Sequence, residues 1–186
     1  MSVVSTIKMT ARQFLELGED PVGVRLELVD GEVAVGPSLT PLHSRAVVQL
    51  ITILQTFIAS NALGELYKDV NTILNEFNVR RPDLLFFSKN RLDLIGEKAM
   101  EGPPDLAVEV ISPSSVQTDC VDKFAEYCKA GVQHYWIVDP AMQTIEAWSL
   151  KGGKYAESGT GQGMAVVRLD PFPDLEIPLG RLWRGK

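Results

Sequence analysis

The segment Leu106-Ala107-Val108-Glu109-Val110-Ile111 is apolar on both faces of an extended chain, except for one carboxylate. A strand of that kind belongs inside a sheet that is covered on both sides. Leu84-Leu85-Phe86-Phe87 has the same character, and residues 134–138 read as a further buried strand. An ionised Glu109 costs several kcal/mol to bury alone, so it demands a cation, hydrogen bonds or a shifted pKa.

The rest of the chain supplies the covering layers. Thr10 caps a short helix over residues 11–17, Gln13 completes a capping box, and Gly18 and Pro21 end it. Asp30-Gly31 marks a hairpin within residues 24–35, with Leu26 and Leu28 on one face and Arg25 and Glu27 on the other. Thr40-Pro41 opens the longest helix, which runs to about Asn61 and repeats Val47, Leu50, Ile51, Leu54, Phe57 and Ile58 at helical spacing. Strands follow at 65–70, 83–87 and 105–111, then a helix over 118–130 stopped by Gly131. After the strand at 134–138, residues 144–150 and 154–158 pair around Gly152-Gly153. Residues 159–163 read as a loop, 164–169 as a short strand, and Pro171, Pro173 and Pro178 as an irregular tail. The order predicts one α/β domain over residues 1–186: a mixed α+β sheet flanked by helices, with an N-terminal and a C-terminal hairpin.

With 186 residues the chain can bury a sizeable core. No uninterrupted apolar stretch has the length of a bilayer crossing, and residues 1–8 lack the apolar block of a signal peptide. A cytoplasmic protein without a membrane partner is therefore expected. Cys120 and Cys128 fall in one helix about 12 Å apart, too far for a disulfide, and read as buried free thiols. The net charge of −6 opposes a broad phosphate-binding surface. The nearest approach to a basic run is Arg80-Arg81, with Lys89 and Arg91 following.

Four places could carry chemistry. Pro82 forces an extended approach and donates nothing to a ladder, so Asp83 stands at the mouth of its strand, as a solvated cap or a ligand. Alternation puts Asp105, Ala107, Glu109 and Ile111 on one face, and a salt bridge to Arg25 or Arg80 is the structural alternative for Glu109. Asp119, Lys123 and Tyr127 stack on one helix stripe. Either Lys123 reaches the strand of Glu109, or Asp119 and Lys123 form an ordinary exposed pair. His43 lies in the first turn of the long helix, as solvated decoration or as a base or ligand. No phosphate-binding glycine loop, Gly-x-Ser-x-Gly elbow or His-Glu-x-x-His is present.

Together these stretches resemble the Uma2 family (DUF820) of bacterial proteins, within the PD-(D/E)xK restriction endonuclease-like superfamily. The resemblance rests on Arg25-Leu26-Glu27-Leu28-Val29-Asp30-Gly31-Glu32, Pro41-Leu42-His43, Arg81-Pro82-Asp83-Leu84-Leu85-Phe86, the segment Gly102-Pro103-Pro104-Asp105 through Ile111-Ser112-Pro113-Ser114, and Gly131 through Asp139-Pro140. It extends from about Met9 to Leu182.

The resemblance implies a restriction endonuclease-like core and a metal-dependent endonuclease hydrolysing the phosphodiester bonds of nucleic acid, DNA first. Asp83 and Glu109 match the two acids that hold Mg²⁺ (or Mn²⁺), and Glu27 matches a further acid that extends the metal shell. Ile111 stands where the motif has its lysine, and Lys123, from the next helix, is the replacement it suggests. His43 and Tyr127 also fit the family pattern. The alternative is a nuclease-fold protein without turnover that acts as a binding module. A homodimer is a further expectation, paired through Tyr135 to Val138 or the terminal hairpin.

Overall fold

The computed structural model describes residues 8–36, 39–113 and 115–183. The expected absence of a leader block at residues 1–7, and Ser114 of the family motif, lie outside the described residues. Helix α1 (Ala11–Leu15) carries the capping box of Thr10 and Gln13. Strands β1 (Leu26–Val29) and β2 (Glu32–Val35) turn through Asp30 and Gly31, both at positive φ (50° and 81°), the backbone that an Asp-Gly turn accepts. Helix α2 (Pro41–Ser60) starts from a Thr40 cap and buries His43, Ala46, Val47, Leu50, Ile53, Leu54 and Ile58. By length and composition α2 could cross a membrane, but here its stripe forms one wall of the main core.

The chain continues as β3 (Gly64–Tyr67), β4 (Thr72–Asn75), β5 (Asn78–Arg80), β6 (Leu84–Ser88) and β7 (Leu106–Val110). A single π-helical turn (Thr118–Asp122) leads into α3 (Lys123–Ala130), which ends at Gly131 in the left-handed conformation, φ 88°. Strands β8 (His134–Asp139), β9 (Thr144–Lys151), β10 (Lys154–Gln162), β11 (Val166–Leu169) and β12 (Phe172–Pro178) complete the fold.

Six strands form the main sheet in the order β10-β9-β8-β7-β6-β3, and only β7 and β8 run parallel. One face packs Leu84, Val108, Val110 and Trp136 against α2 and the β11–β12 hairpin. The other packs Ala107, Tyr135 and Ile137 against Tyr127 and Phe124 of α3. A second sheet, β2-β1-β5-β4, carries Arg25 and Glu27 toward the same side as α3.

This is the mixed α/β architecture the sequence predicts, with several local differences. Residues 72–80 form an additional hairpin, β4–β5, which joins the N-terminal hairpin rather than the main sheet. Residues 159–162 are not a loop but the second half of β10. Glycine gives the neighbouring side chains room there: a Cβ on Gly161 would lie 2.4 Å from Val167 Cγ1, and one on Gly159 2.6 Å from Leu169 Cδ2, so either side chain would have to shift. The proline-rich tail includes a strand, β12, paired with β11 in a two-stranded sheet whose register shifts between Val167 and Leu169, and Pro171 stands just before it. Tyr135 to Val138 cannot pair two chains, because β8 is bonded on both edges and those side chains are buried. Cys120 and Cys128 are free thiols but only half-buried.

Candidate functional site

The register of β6 against β7 pairs Leu84 with Val108, so Asp83, one residue before β6, faces Glu109. Leu84 and Val108 point into the α2 side of the core, which turns Asp83 and Glu109 to the opposite face. The Val110 N–H donates to Asp83 Oδ2 at 2.8 Å, tying the two strand ends together. His43 Nε2 reaches the same oxygen at 2.9 Å, and Arg25 Nη1 lies 3.4 Å from Oδ1. Asp83 and His43 are thus buried partners, and neither is a solvated end group.

Helix α3 brings the cation. Lys123 Nζ lies 3.0 Å from Glu109 Oε1, 3.2 Å from Asp119 Oδ1 and 3.8 Å from Glu27 Oε1. The Tyr127 hydroxyl donates to Glu109 Oε1 at 2.7 Å. Asp119 sits in the π turn, a local widening frequent at functional sites, and Tyr135 holds its carbonyl at 2.9 Å. Asp119 and Lys123 are therefore a buried pair and not an exposed one. Glu27, His43, Asp83, Glu109, Asp119, Lys123 and Tyr127 are none of them more than 5% exposed.

Glu109 takes its charge partner from Lys123, while the arginines go elsewhere. Arg80 donates to Glu27 Oε2 at 2.9 Å and grips Glu126 at 2.6 and 2.7 Å. Arg25 pairs with Asp69 at 3.0 Å as well as with Asp83. Arg81 pairs with Asp20 and Asp69, and Arg91 with Asp105 at 2.7 Å. The arginines of the stretch that comes nearest to a basic run are thus each paired with an acid elsewhere in the chain.

Burial pushes the Glu109 carboxyl up to about 8; Lys123 works against that rise, and Asp119 and Asp83 add to it. Burial also opposes charge at Asp83, but the hydrogen bond and charge of His43, then Arg25 and the Val110 N–H, hold its carboxyl below the usual range. Glu27 is likewise held low: burial is outweighed by Lys123, Arg80 and the Arg81 N–H. Lys123 is raised despite burial, chiefly by Glu109 and Glu27.

Asp83, Glu109, Asp119, Arg25, His43 and Lys123 line a cavity of about 10 Å³, room for one water-sized particle. Among the described residues no three His, Cys, Asp or Glu side chains form a ready-made metal cluster. Glu27 does not line the cavity, and its oxygens are committed to Arg80, the Arg81 N–H and Lys123. What remains is a pair of hard oxygen donors, Asp83 and Glu109. As hard oxygen donors they fit Mg²⁺ or Mn²⁺, which take one or two carboxylates, although the cavity has room for one water-sized particle and not for the several waters these ions keep. Two neighbours were not singled out as site residues from sequence. Asp119 was visible only as the residue one turn before Lys123, and Arg25 as a residue on the face of Glu27 and a candidate structural partner for Glu109.

The chain matches the Uma2 family model, "Putative restriction endonuclease", over residues 11–180. Its fold is similar to a solved structure from Anabaena variabilis, described as a putative nuclease belonging to DUF820. The TM-score is 0.76 at 19% identity, covering 94% of this chain and 97% of that one. No curated protein matches the sequence. With the family model spanning nearly all of the restriction endonuclease-like fold described above, the chain belongs to the Uma2 family.

Proposed function

We propose that this protein is a metal-dependent endonuclease that hydrolyses phosphodiester bonds in DNA, with Asp83 and Glu109 holding Mg²⁺ or Mn²⁺. The observation that carries this reading is the opposition of Asp83 and Glu109 across β6 and β7, with Lys123 Nζ 3.0 Å from Glu109 at the wall of a shared cavity. A divalent ion at that position supplies Lewis-acid polarisation of the phosphate and a more acidic water. The chain's own groups do the positioning. His43 and the Val110 N–H fix Asp83 Oδ2, and Tyr127 fixes Glu109 Oε1. Lys123 orients the attacking water or a phosphate oxygen and offsets developing negative charge. Glu27 keeps Lys123 charged and aimed, and Asp119 positions it from the π turn.

The test is hydrolysis of single-stranded and double-stranded circular DNA and of bis(p-nitrophenyl) phosphate with Mg²⁺ or Mn²⁺, by wild type and Asp83→Asn. Loss of about 100-fold or more in the variant is expected; equal rates reject the assignment. The neutralised arginines favour one competitor, a nuclease-fold binding module. That reading predicts no hydrolysis by either protein and little Mn²⁺ uptake in calorimetry at millimolar concentration.

A further inference from the structure

A hollow of about 640 Å³ lies beside the candidate site, walled by Pro41, Leu42, Ile111, Pro113 and Pro140, with Arg45 at its side. Its residues alternate in sequence with those of the acid-lined cavity: Leu42 precedes His43, Ile111 follows Val110, and Pro113 follows Ser112. The hollow is thus the other side of the same two segments, the first turn of α2 and the end of β7.

Its size falls within the roughly 300–1,000 Å³ of small-ligand sites, and its walls are apolar, as a site for an unstacked nucleobase requires. Arg45 is exposed, and among the described residues no carboxylate pairs with it; its Nε donates to the Trp183 carbonyl at 3.1 Å. Lys68 is likewise exposed without a carboxylate partner among the described residues, and lines a separate hollow of about 120 Å³ shared with His43 and Asp83. The other cations near the acids, Arg25, Arg80, Arg81 and Lys123, are consumed in ion pairs.

A duplex keeps its bases stacked and needs a broad phosphate-binding surface, which a chain of net charge −6 with two free cations beside its site does not offer. The acids themselves are almost wholly buried in a narrow cavity. A single strand can bring one phosphate to the edge of that cavity and place an unstacked base alongside. We propose that the hollow at Leu42, Ile111 and Pro140 takes a nucleobase next to the cleaved phosphate, with Arg45 and Lys68 on the flanking phosphates. The substrate is then a single-stranded nucleic acid. This rests on the nuclease reading above and names its substrate class.

Binding without catalysis tests it separately from that reading. Fluorescence anisotropy in EDTA compares a labelled oligothymidine with a duplex of equal length, for wild type, Arg45→Glu and Ala141→Trp; Ala141 is part of the hollow's wall, so the last variant fills it. The single strand should bind at least about 10-fold tighter than the duplex. Each variant should weaken it by about 5-fold or more, the size of one lost base contact, while thermal midpoints stay unchanged. Two phosphate contacts predict a shallow salt slope of about −1.4 in log–log form. Equal or tighter duplex binding, or wild-type single-strand affinity in both variants, overturns the inference, and Asp83-dependent hydrolysis of bis(p-nitrophenyl) phosphate would still uphold the nuclease reading. Single-strand binding that the variants weaken, with no hydrolysis, upholds the hollow and removes that reading.

Discussion

Lys123 Nζ lies 3.0 Å from Glu109 Oε1, and both side chains are almost wholly buried. The ammonium also faces Asp119 and Glu27; Glu109 keeps its proton up to about pH 8, and Glu27 is the carboxylate that this cation does most to hold ionised. Lys123→Met should therefore leave buried negative charge unpaired and cost about 3–5 kcal/mol of stability. Urea unfolding at pH 7.5 measures the loss. The loss should shrink near pH 5, where the orphaned carboxylates can take up protons. An unchanged midpoint at pH 7.5 would contradict the account of the network.

Arg80 joins the small sheet to α3 through its two-pronged contact with Glu126, and it holds Glu27 with its remaining arm. Arg80→Met should lower the unfolding midpoint and also reduce hydrolysis, because Glu27 would lose its fixed position beside Lys123. A double-mutant cycle with Glu126→Gln should give a coupling energy of about 0.5–3 kcal/mol. Strict additivity would mean that the contact does not connect the two layers.

The two acids were legible because each breaks a local pattern. Glu109 interrupts an apolar strand, and Asp83 follows a proline that fixes where its strand begins. Helical spacing put Lys123 on one stripe with Asp119 and Tyr127 but left its role open; the family resemblance singled it out, and the π turn did not displace it from that stripe. What stayed hidden depends on residues far apart in the chain. β4 and β5 are four and three residues long and turn through Glu76-Phe77 without glycine or proline, too short a signal for alternation. Gly159 and Gly161 resemble a loop until Leu169 and Val167 pack over them. Arg80 and Arg81 resemble a basic patch until Asp20, Glu27, Asp69 and Glu126 meet them.

Tyr127→Phe removes the hydroxyl 2.7 Å from Glu109 Oε1 and keeps the ring packed against Tyr135. A hydrogen bond to a charged group is worth about 1.5–3 kcal/mol, and its loss disfavours the ionised carboxylate. At neutral pH the variant should bind Mn²⁺ more weakly, with its thermal midpoint little changed when Glu109 is protonated. Calorimetry at two pH values checks both; wild-type affinity at neutral pH would show that Tyr127 has no hold on Glu109.

On the proposed function, Glu109 should set the pH dependence of metal binding. Its carboxyl is raised from the ordinary 4.5 to about 8, first by burial and then by Asp119 and Asp83, against the pull of Lys123. A raised folded value means that the folded protein keeps a proton which the unfolded chain releases. The stability from this group is therefore complete below pH 4.5 and is lost as pH rises through about 8. Glu109→Gln should abolish that part of the decline in metal-free protein, as followed by urea midpoints across the same range. Asp83 and Glu27 are held low and contribute in the opposite sense, losing stability only in acid. A divalent ion on Glu109 must displace the retained proton, so apparent affinity should climb by about tenfold per pH unit up to pH 8 and level off above. Calorimetry in buffers of different ionisation enthalpy should detect close to one proton released per ion at about pH 6.5 and almost none at about pH 9. Affinity independent of pH across that span would mean that the ion does not bind Glu109.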